Sequence, residues 1–280
     1  MIAHNFEYVK PASLAEALGH LAADGKPLAG GMSLIPMMKL RLAAPEKLVD
    51  LSALGLNAIS EGDGWIKIGA TATHHEVESS ALLRAKCPLI AEAASHIGDV
   101  QVRNMGTIGG STAHADPAAD YPASLLALDA SVIVASAAGT RKVAAADFLV
   151  DALTVSLEPG ELITEVHVPM ETAGTGVTYN KVVQPASGYA VVGIAVRIRK
   201  DASGAVTFAR VGVTGLASKA FRATGVEGAL TSGASVEEAA AKVTDGVDAN
   251  ADTYASADYR SHLARVHTAR AIRTALGKAA

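Results

Sequence analysis

Two glycine-rich stretches hold the residues whose types and spacing suit ligand chemistry. The first is Ala29-Gly30-Gly31-Met32-Ser33-Leu34-Ile35-Pro36. Paired glycines let a ligand approach the backbone closely, and the unpaired N–H groups of a helix start favour an anion such as a pyrophosphate. Ser33 is placed to cap that helix or to donate to a phosphate oxygen. The second stretch runs from Arg103 to Thr112 and holds Gly106, Gly109 and Gly110 together with Thr107 and Ser111. It reads as a loop with several backbone and hydroxyl donors, able to cradle a second part of the same phosphate chain. Downstream, Pro122 suits the first position of a helix through Leu128, which puts Asp120 one residue before the cap, its carboxylate free for a ribose hydroxyl. Taken singly, a glycine turn with a serine cap is also the ordinary joint between a strand and a helix, and Asp120 an ordinary turn carboxylate.

Other chemistries lack their motifs. Neither stretch has the G-x-G-x-x-G pattern with an acidic residue about 20 positions on, and there is no P-loop and no G-x-S-x-G nucleophile elbow. Cys87 is the only cysteine, which excludes an internal disulfide and any iron–sulfur cluster held by several thiolates of this chain. His74 and His75 are expected to point apart on a strand, and His262 and His267 miss the i, i+4 spacing of a helical metal pair. All four read as surface or hydrogen-bonded histidines.

The elements that must position these residues are legible from periodicity. Leu14, Ala17, Leu18 and Leu21 form a helical stripe, which Ser13 caps and Glu16 completes as a capping box. Lys26 to Ala29 is a short strand running into Gly30-Gly31, a helix follows from Leu34 to Leu40, and Lys47 to Leu51 is a second strand, giving a small βαβ unit. Trp65 to Ala70 alternates as a strand, Ala81 to His96 is helical in pattern, and Ser131 to Ser136 and Leu162 to Val168 are strand-like. Three strands then follow, Gly176 to Gln184, Ala190 to Arg199 and Ala205 to Leu216, joined by turn signals into an antiparallel meander. Helices around Val236 to Val243 and from Ala257 to Leu276 finish the chain, so a separate α+β domain is expected to begin near residue 176.

A chain of 280 residues, half of them hydrophobic, can bury a core of two modest domains. Its apolar runs fall far short of the roughly 20 residues a membrane span needs. The net charge of −4, with scattered Lys and Arg, gives no footprint for nucleic acid. Met1 to Tyr8 shows no basic region followed by an apolar stretch, so a cytoplasmic location is expected.

Together the two stretches become specific. The run from Ala29 to Leu42 followed by Pro45, with Thr107-Ile108-Gly109-Gly110-Ser111 and Asp120, resembles the FAD-binding medium subunit of the carbon monoxide dehydrogenase and molybdenum hydroxylase (xanthine dehydrogenase-like) family. The resemblance extends from Phe6 to nearly the last helix. It implies an α+β chain: a two-subdomain FAD-binding fold of the vanillyl-alcohol oxidase/PCMH type over residues 1–175 (subdomains about 1–55 and 56–175), then a C-terminal domain over 176–280. It further implies noncovalent FAD in this chain, with the molybdenum cofactor and [2Fe-2S] clusters in a molybdenum large subunit and an iron–sulfur small subunit, assembled as a dimer of heterotrimers. By position, Ala29, Gly30, Gly31, Met32 and Ser33 with Thr107, Ile108, Gly109, Gly110 and Ser111 would hold the pyrophosphate and ribityl chain, and Asp120 the adenosine ribose, with Leu34 a further cofactor contact. Lys181 and Tyr189 would lie around the flavin ring, with further contacts from Ile97, Ala113, Leu162 and Ile163. Ser111 departs from the Asn or Asp that many relatives carry there. Read from the residues alone, Lys181 is a strand lysine facing solvent and Tyr189 a turn aromatic. The rival expectations are a self-contained FAD-dependent oxidoreductase of the same fold and a non-catalytic module that has lost FAD.

Overall fold

The structure is a computed structural model that describes residues 2–279; Met1 and Ala280, the outer ends of the two expected domains, lie outside the described residues. The first unit is a three-stranded parallel sheet. Its strands are β1 (Glu7–Val9), β2 (Lys26–Leu28) and β3 (Lys47–Asp50), in the order β1-β3-β2, with helices α1 (Leu14–Ala22) and α2 (Leu34–Lys39) between them. α1 starts where Ser13 Oγ accepts the N–H of Glu16, but the Glu16 carboxylate accepts from the N–H of Ala12 and not from that of Ser13. The expected capping box is therefore displaced by one residue. Ala17, Leu18 and Leu21 bury the apolar stripe of α1 against Val49 and Leu51, as the periodicity requires.

A five-stranded antiparallel sheet follows. It contains β4 (Ile59–Gly62), β5 (Trp65–Gly69), β6 (Ser131–Ser136) and β7 (Gly139–Ala144). After the short pair β8 (Leu149–Asp151) and β9 (Thr154–Val155) comes its fifth strand, β10 (Leu162–Pro169), and the order is β4-β5-β10-β6-β7. Between β5 and β6 the chain makes six helices: α3 (His74–Ser79), α4 (Ala81–Lys86), α5 (Pro88–Ser95), α6 (Val100–Met105), α7 (Ile108–His114) and α8 (Asp120–Ala127). This region differs from the expectation in three places. His74 and His75 open a helix, since Thr73 and Glu76 form a full capping box there. The helical pattern from Ala81 splits at Cys87, because Pro88 disfavours the helical conformation of the residue before it. The second glycine stretch is no loop: Thr107 Oγ1 caps α7 through the Gly110 N–H.

The last sheet extends the expected meander by one short strand. Its strands are β11 (Gly176–Val183), β12 (Ala190–Lys200), β13 (Val206–Thr214) and β14 (Phe221–Arg222), all antiparallel. Helix α9 (Ala145–Phe148) precedes this sheet, and α10 (Thr224–Thr231), α11 (Val236–Ala241) and α12 (Ala257–Lys278) follow it. α12 covers β11 and β12, while α8 packs on β12 and β13. β12 is accordingly buried from Ala190 to Ile198, and every residue of α8 is buried. α8 is thus the joint between the first half of the chain and the last sheet, and Asp120 is its first residue.

Candidate functional site

The two glycine stretches meet. A Cβ on Gly30 would overlap the carbonyl oxygen of Met105 and come within 2.7 Å of Gly106 Cα, so only glycine allows this approach. Gly31 has φ +74, in the left-handed region that L side chains rarely adopt. The N–H groups of Gly30, Gly31, Met32 and Ser33 donate to no acceptor among the described residues. Ser33 makes no side-chain cap bond to α2, so its hydroxyl does not serve the helix as expected.

The four residues that carry these N–H groups line a cleft of about 840 Å³, within the range of cofactor pockets. The first stretch forms one wall and the start of α7 the other, where Gly110 is exposed to the cleft and its missing Cβ would meet only Thr107 Oγ1 (2.8 Å) and Ala29 Cβ (4.0 Å). The N–H groups of Ile108 and Gly109 are already taken by the carbonyls of Ala72 and Ala70. The anion-binding capacity of the backbone therefore sits mainly in the first stretch. This arrangement, four unpaired donors facing a glycine surface, fits the diphosphate of a dinucleotide.

Sixteen of the eighteen residues expected at the site line this cleft: Ala29, Gly30, Gly31, Met32, Ser33, Leu34, Ile97, Thr107, Gly109, Gly110, Ser111, Ala113, Asp120, Leu162, Ile163 and Tyr189. Ile108 does not, because its side chain turns into the core and is fully buried. Lys181 does not line it either. Its side chain has no exposed surface, and Nζ donates to Asp120 Oδ2 (2.9 Å) and to the His96 carbonyl (2.8 Å).

Asp120 also differs from its expected setting. It is the first residue of α8, not a residue outside the cap, and the helix begins two residues before Pro122. Its carboxylate is buried and accepts from Tyr179 Oη at 2.6 Å as well as from Lys181. Burial pushes its carboxyl above the usual range, while Lys181 and Tyr179 oppose that rise.

Tyr189 ends a turn closed by bonds between Gln184 and both Gly188 and Tyr189. Gly188 packs on Gly98, which brings Tyr189 and Ile97 to the same end of the cleft. Burial and then the Asp116 carboxylate raise the phenol above its usual range. Tyr189 thus shares the cleft with the first glycine stretch. Cleft residues that sequence reasoning missed include His74, Thr71, Val102, Asp116 and the β8–β9 turn at Leu153. Only His74 carried a local signal, the Thr73-x-x-Glu76 capping pattern.

The fold agrees with comparison to known proteins. Residues 4–171 match the family of the FAD binding domain in molybdopterin dehydrogenase, and residues 177–275 match the carbon monoxide dehydrogenase flavoprotein C-terminal domain. The chain belongs to this family of FAD-binding oxidoreductase subunits. It is 38% identical to the carbon monoxide dehydrogenase medium chain of Hydrogenophaga pseudoflava over 100% of both chains. It is also 38% identical to the glyceraldehyde dehydrogenase medium chain of Sulfolobus acidocaldarius, over 96% of this chain and 97% of the relative. Among solved structures, carbon monoxide dehydrogenase from Hydrogenophaga pseudoflava superposes with a TM-score of 0.95 at 38% identity, covering 100% of both chains. Quinoline 2-oxidoreductase from Pseudomonas putida 86 does so with a TM-score of 0.93 at 31% identity, covering 99% of both. No helix among the described residues is long and apolar enough to cross a membrane.

Proposed function

We propose that this chain is the electron-transfer subunit of a cytoplasmic molybdenum-containing hydroxylase or dehydrogenase. In this reading substrate is oxidised in a molybdenum large subunit, and electrons pass through [2Fe-2S] clusters of a small subunit to FAD in this chain and on to an external acceptor. The assembly is a dimer of heterotrimers. The observation that carries the reading is the match over the full length of both chains to a relative named as a medium chain. It is supported by the lone cysteine, Cys87, which is buried in the core and leaves this chain without thiolates for a cluster of its own.

Residues 1–175 form the FAD-binding domain in this reading and residues 176–280 the C-terminal one. FAD supplies the redox chemistry, accepting electrons and passing them on. The protein's part is to bind and orient it. The N–H groups of Gly30 to Ser33 hold the diphosphate against the Gly109-Gly110 turn, with Ala29, Met32, Leu34, Thr107 and Ser111 around it. Asp120 holds the ribose with whatever acceptor capacity Tyr179 and Lys181 leave it, and Tyr189 covers the flavin ring. Lys181, sealed behind Asp120, acts on the bound cofactor only through that carboxylate.

The test is purification of the tagged chain from its own cells with flavin, molybdenum and iron analysis, followed by anaerobic mixing with substrates accepted by the intact preparation. Co-purifying molybdenum and iron, with rapid FAD reduction only in the assembled complex, is expected. Efficient FAD reduction by substrate in the pure chain would establish a self-contained oxidoreductase, and a purified chain that neither carries nor takes up FAD would establish a module that has lost it.

A further inference from the structure

His74 is the first residue of α3, and its ring is 4% exposed while lining the cleft. Nδ1 lies 3.2 Å from the hydroxyl of Tyr121. That phenol is fully buried, and burial keeps it protonated by raising it well above its usual range. Among the described residues the hydroxyl has no other hydrogen-bond partner. Were Nδ1 the donor, the phenol's own proton would be left buried without an acceptor, at a cost of about 1–3 kcal/mol. The hydroxyl therefore donates to Nδ1, and the imidazole proton resides on Nε2.

Nε2 has no hydrogen-bond partner among the described residues. It lies against Gly106, where a Cβ would come within 2.6 Å of it, so glycine at 106 leaves that edge of the ring uncovered. The position is fixed from the backbone as well: the His74 N–H donates to the Gly106 carbonyl at 2.9 Å, and Thr73 bridges to Thr107. Gly106 is also the residue on which Gly30 packs. The free edge of His74 thus meets the joint of the two glycine stretches. Arg103 of α6 is the charge that acts on the ring, and it pairs with Glu78 of α3 at 3.0 Å. Burial first, and then Arg103, push the imidazole down to about 4, which keeps the ring neutral near pH 7.

We propose that His74, locked by Tyr121 as the Nε2–H tautomer, donates an uncharged hydrogen bond to a diphosphate oxygen of FAD, adding a side-chain donor to the backbone N–H groups of Gly30 to Ser33. The inference rests on the diphosphate lying between the two glycine stretches.

Three variants of the full chain, each titrated with FAD and melted without it, test this. His74→Phe keeps the ring and removes the donor. His74→Gln returns an amide donor near the position of Nε2. Gly110→Val tests the diphosphate placement independently. A hydrogen bond to a charged acceptor is worth roughly ten- to a hundredfold in Kd, and that loss is expected in His74→Phe with most affinity restored in His74→Gln, while both variants lower the cofactor-free melting temperature by a similar few degrees because each leaves the Tyr121 hydroxyl without its acceptor. Unchanged FAD affinity in His74→Phe, with affinity lost in Gly110→Val, overturns the role of His74 and leaves the placement standing. Retention in both overturns the placement. Affinity lost to the same extent in both histidine variants marks a structural role and overturns the proposal. Should His74→Phe fail to fold, histidine 15N–1H correlation spectra of the wild-type chain decide: a proton on Nε2 at pH 7 with and without FAD is required, and a proton on Nδ1 overturns it.

Discussion

Lys181 Nζ lies 2.9 Å from Asp120 Oδ2, a pairing across 61 residues of sequence in which the lysine side chain is wholly buried and the carboxylate 5% exposed. It ties the first turn of α8 to β11. Tyr179, two residues earlier on the same face of β11, supplies the second bond to the same carboxylate. The last sheet therefore sets the orientation of the one buried carboxylate on the cleft wall.

Breaking such a pair by removing one partner leaves a buried charge and costs about 3–5 kcal/mol. Lys181→Met is expected to lower the melting temperature by roughly 10 °C, at about 2–4 °C per kcal/mol for a chain of this size. Adding Asp120→Asn to it should restore part of that loss. A double-mutant cycle from thermal melts checks both values; additive losses would mean that the pair carries no coupling.

Acid should destabilise the chain through His74. Its folded value of about 4 lies below the ordinary 6.5, so the unfolded state binds the additional proton and stability falls as pH drops from about 6.5 towards 4. The full difference amounts to at most about 3 kcal/mol. Melts between pH 7 and pH 4.5 should be less steep in His74→Phe than in the wild-type chain, and equal slopes would remove His74 from the acid response.

Tyr189 is 39% exposed at the mouth of the cleft and anchored by a turn, not by the interior of a strand. Tyr189→Ala should change the rate at which reduced FAD in the assembled complex is reoxidised by the external acceptor, by more than it changes FAD affinity, since the diphosphate cradle is untouched. Stopped-flow reoxidation beside an FAD titration measures the two. Unchanged reoxidation in a normally assembled complex would leave Tyr189 an ordinary turn aromatic.

Much of the scaffold was legible because it is local. The strand, glycine turn and helix from Lys26 to Lys39, the strand at Ser131–Ser136 and the three long strands of the last sheet each announce themselves by period and punctuation within a dozen residues. What stayed hidden depends on distant packing. Gly109 and Gly110 lower helix propensity, so a loop was the natural reading, but Thr107 caps the turn and the carbonyls of Ala70 and Ala72 bind its first N–H groups. Ile108 belongs to the right segment, and nothing in the segment itself says that it faces inward. Lys181 alternates like a solvent-facing strand residue, and only the approach of α8 seals it. His74 follows a strand closely enough to be read as part of it, and its meeting with Tyr121 lies 47 positions away.

The placement of FAD in the cleft is tested most directly by titrating the cofactor-free chain with FAD in the wild-type and Gly110→Val forms. Gly110 faces the cleft, and an added side chain there meets little protein beyond Thr107 Oγ1. Gly30→Val is the wrong comparison for this purpose, because its side chain would strike the Met105–Gly106 backbone and disturb the fold itself. The wild-type chain should bind one FAD noncovalently, whereas Gly110→Val should keep its melting temperature within about 3 °C, as expected of a change near 1 kcal/mol, and lose most of its FAD. Wild-type FAD occupancy in a folded Gly110→Val chain would contradict the placement of the diphosphate between the two glycine stretches.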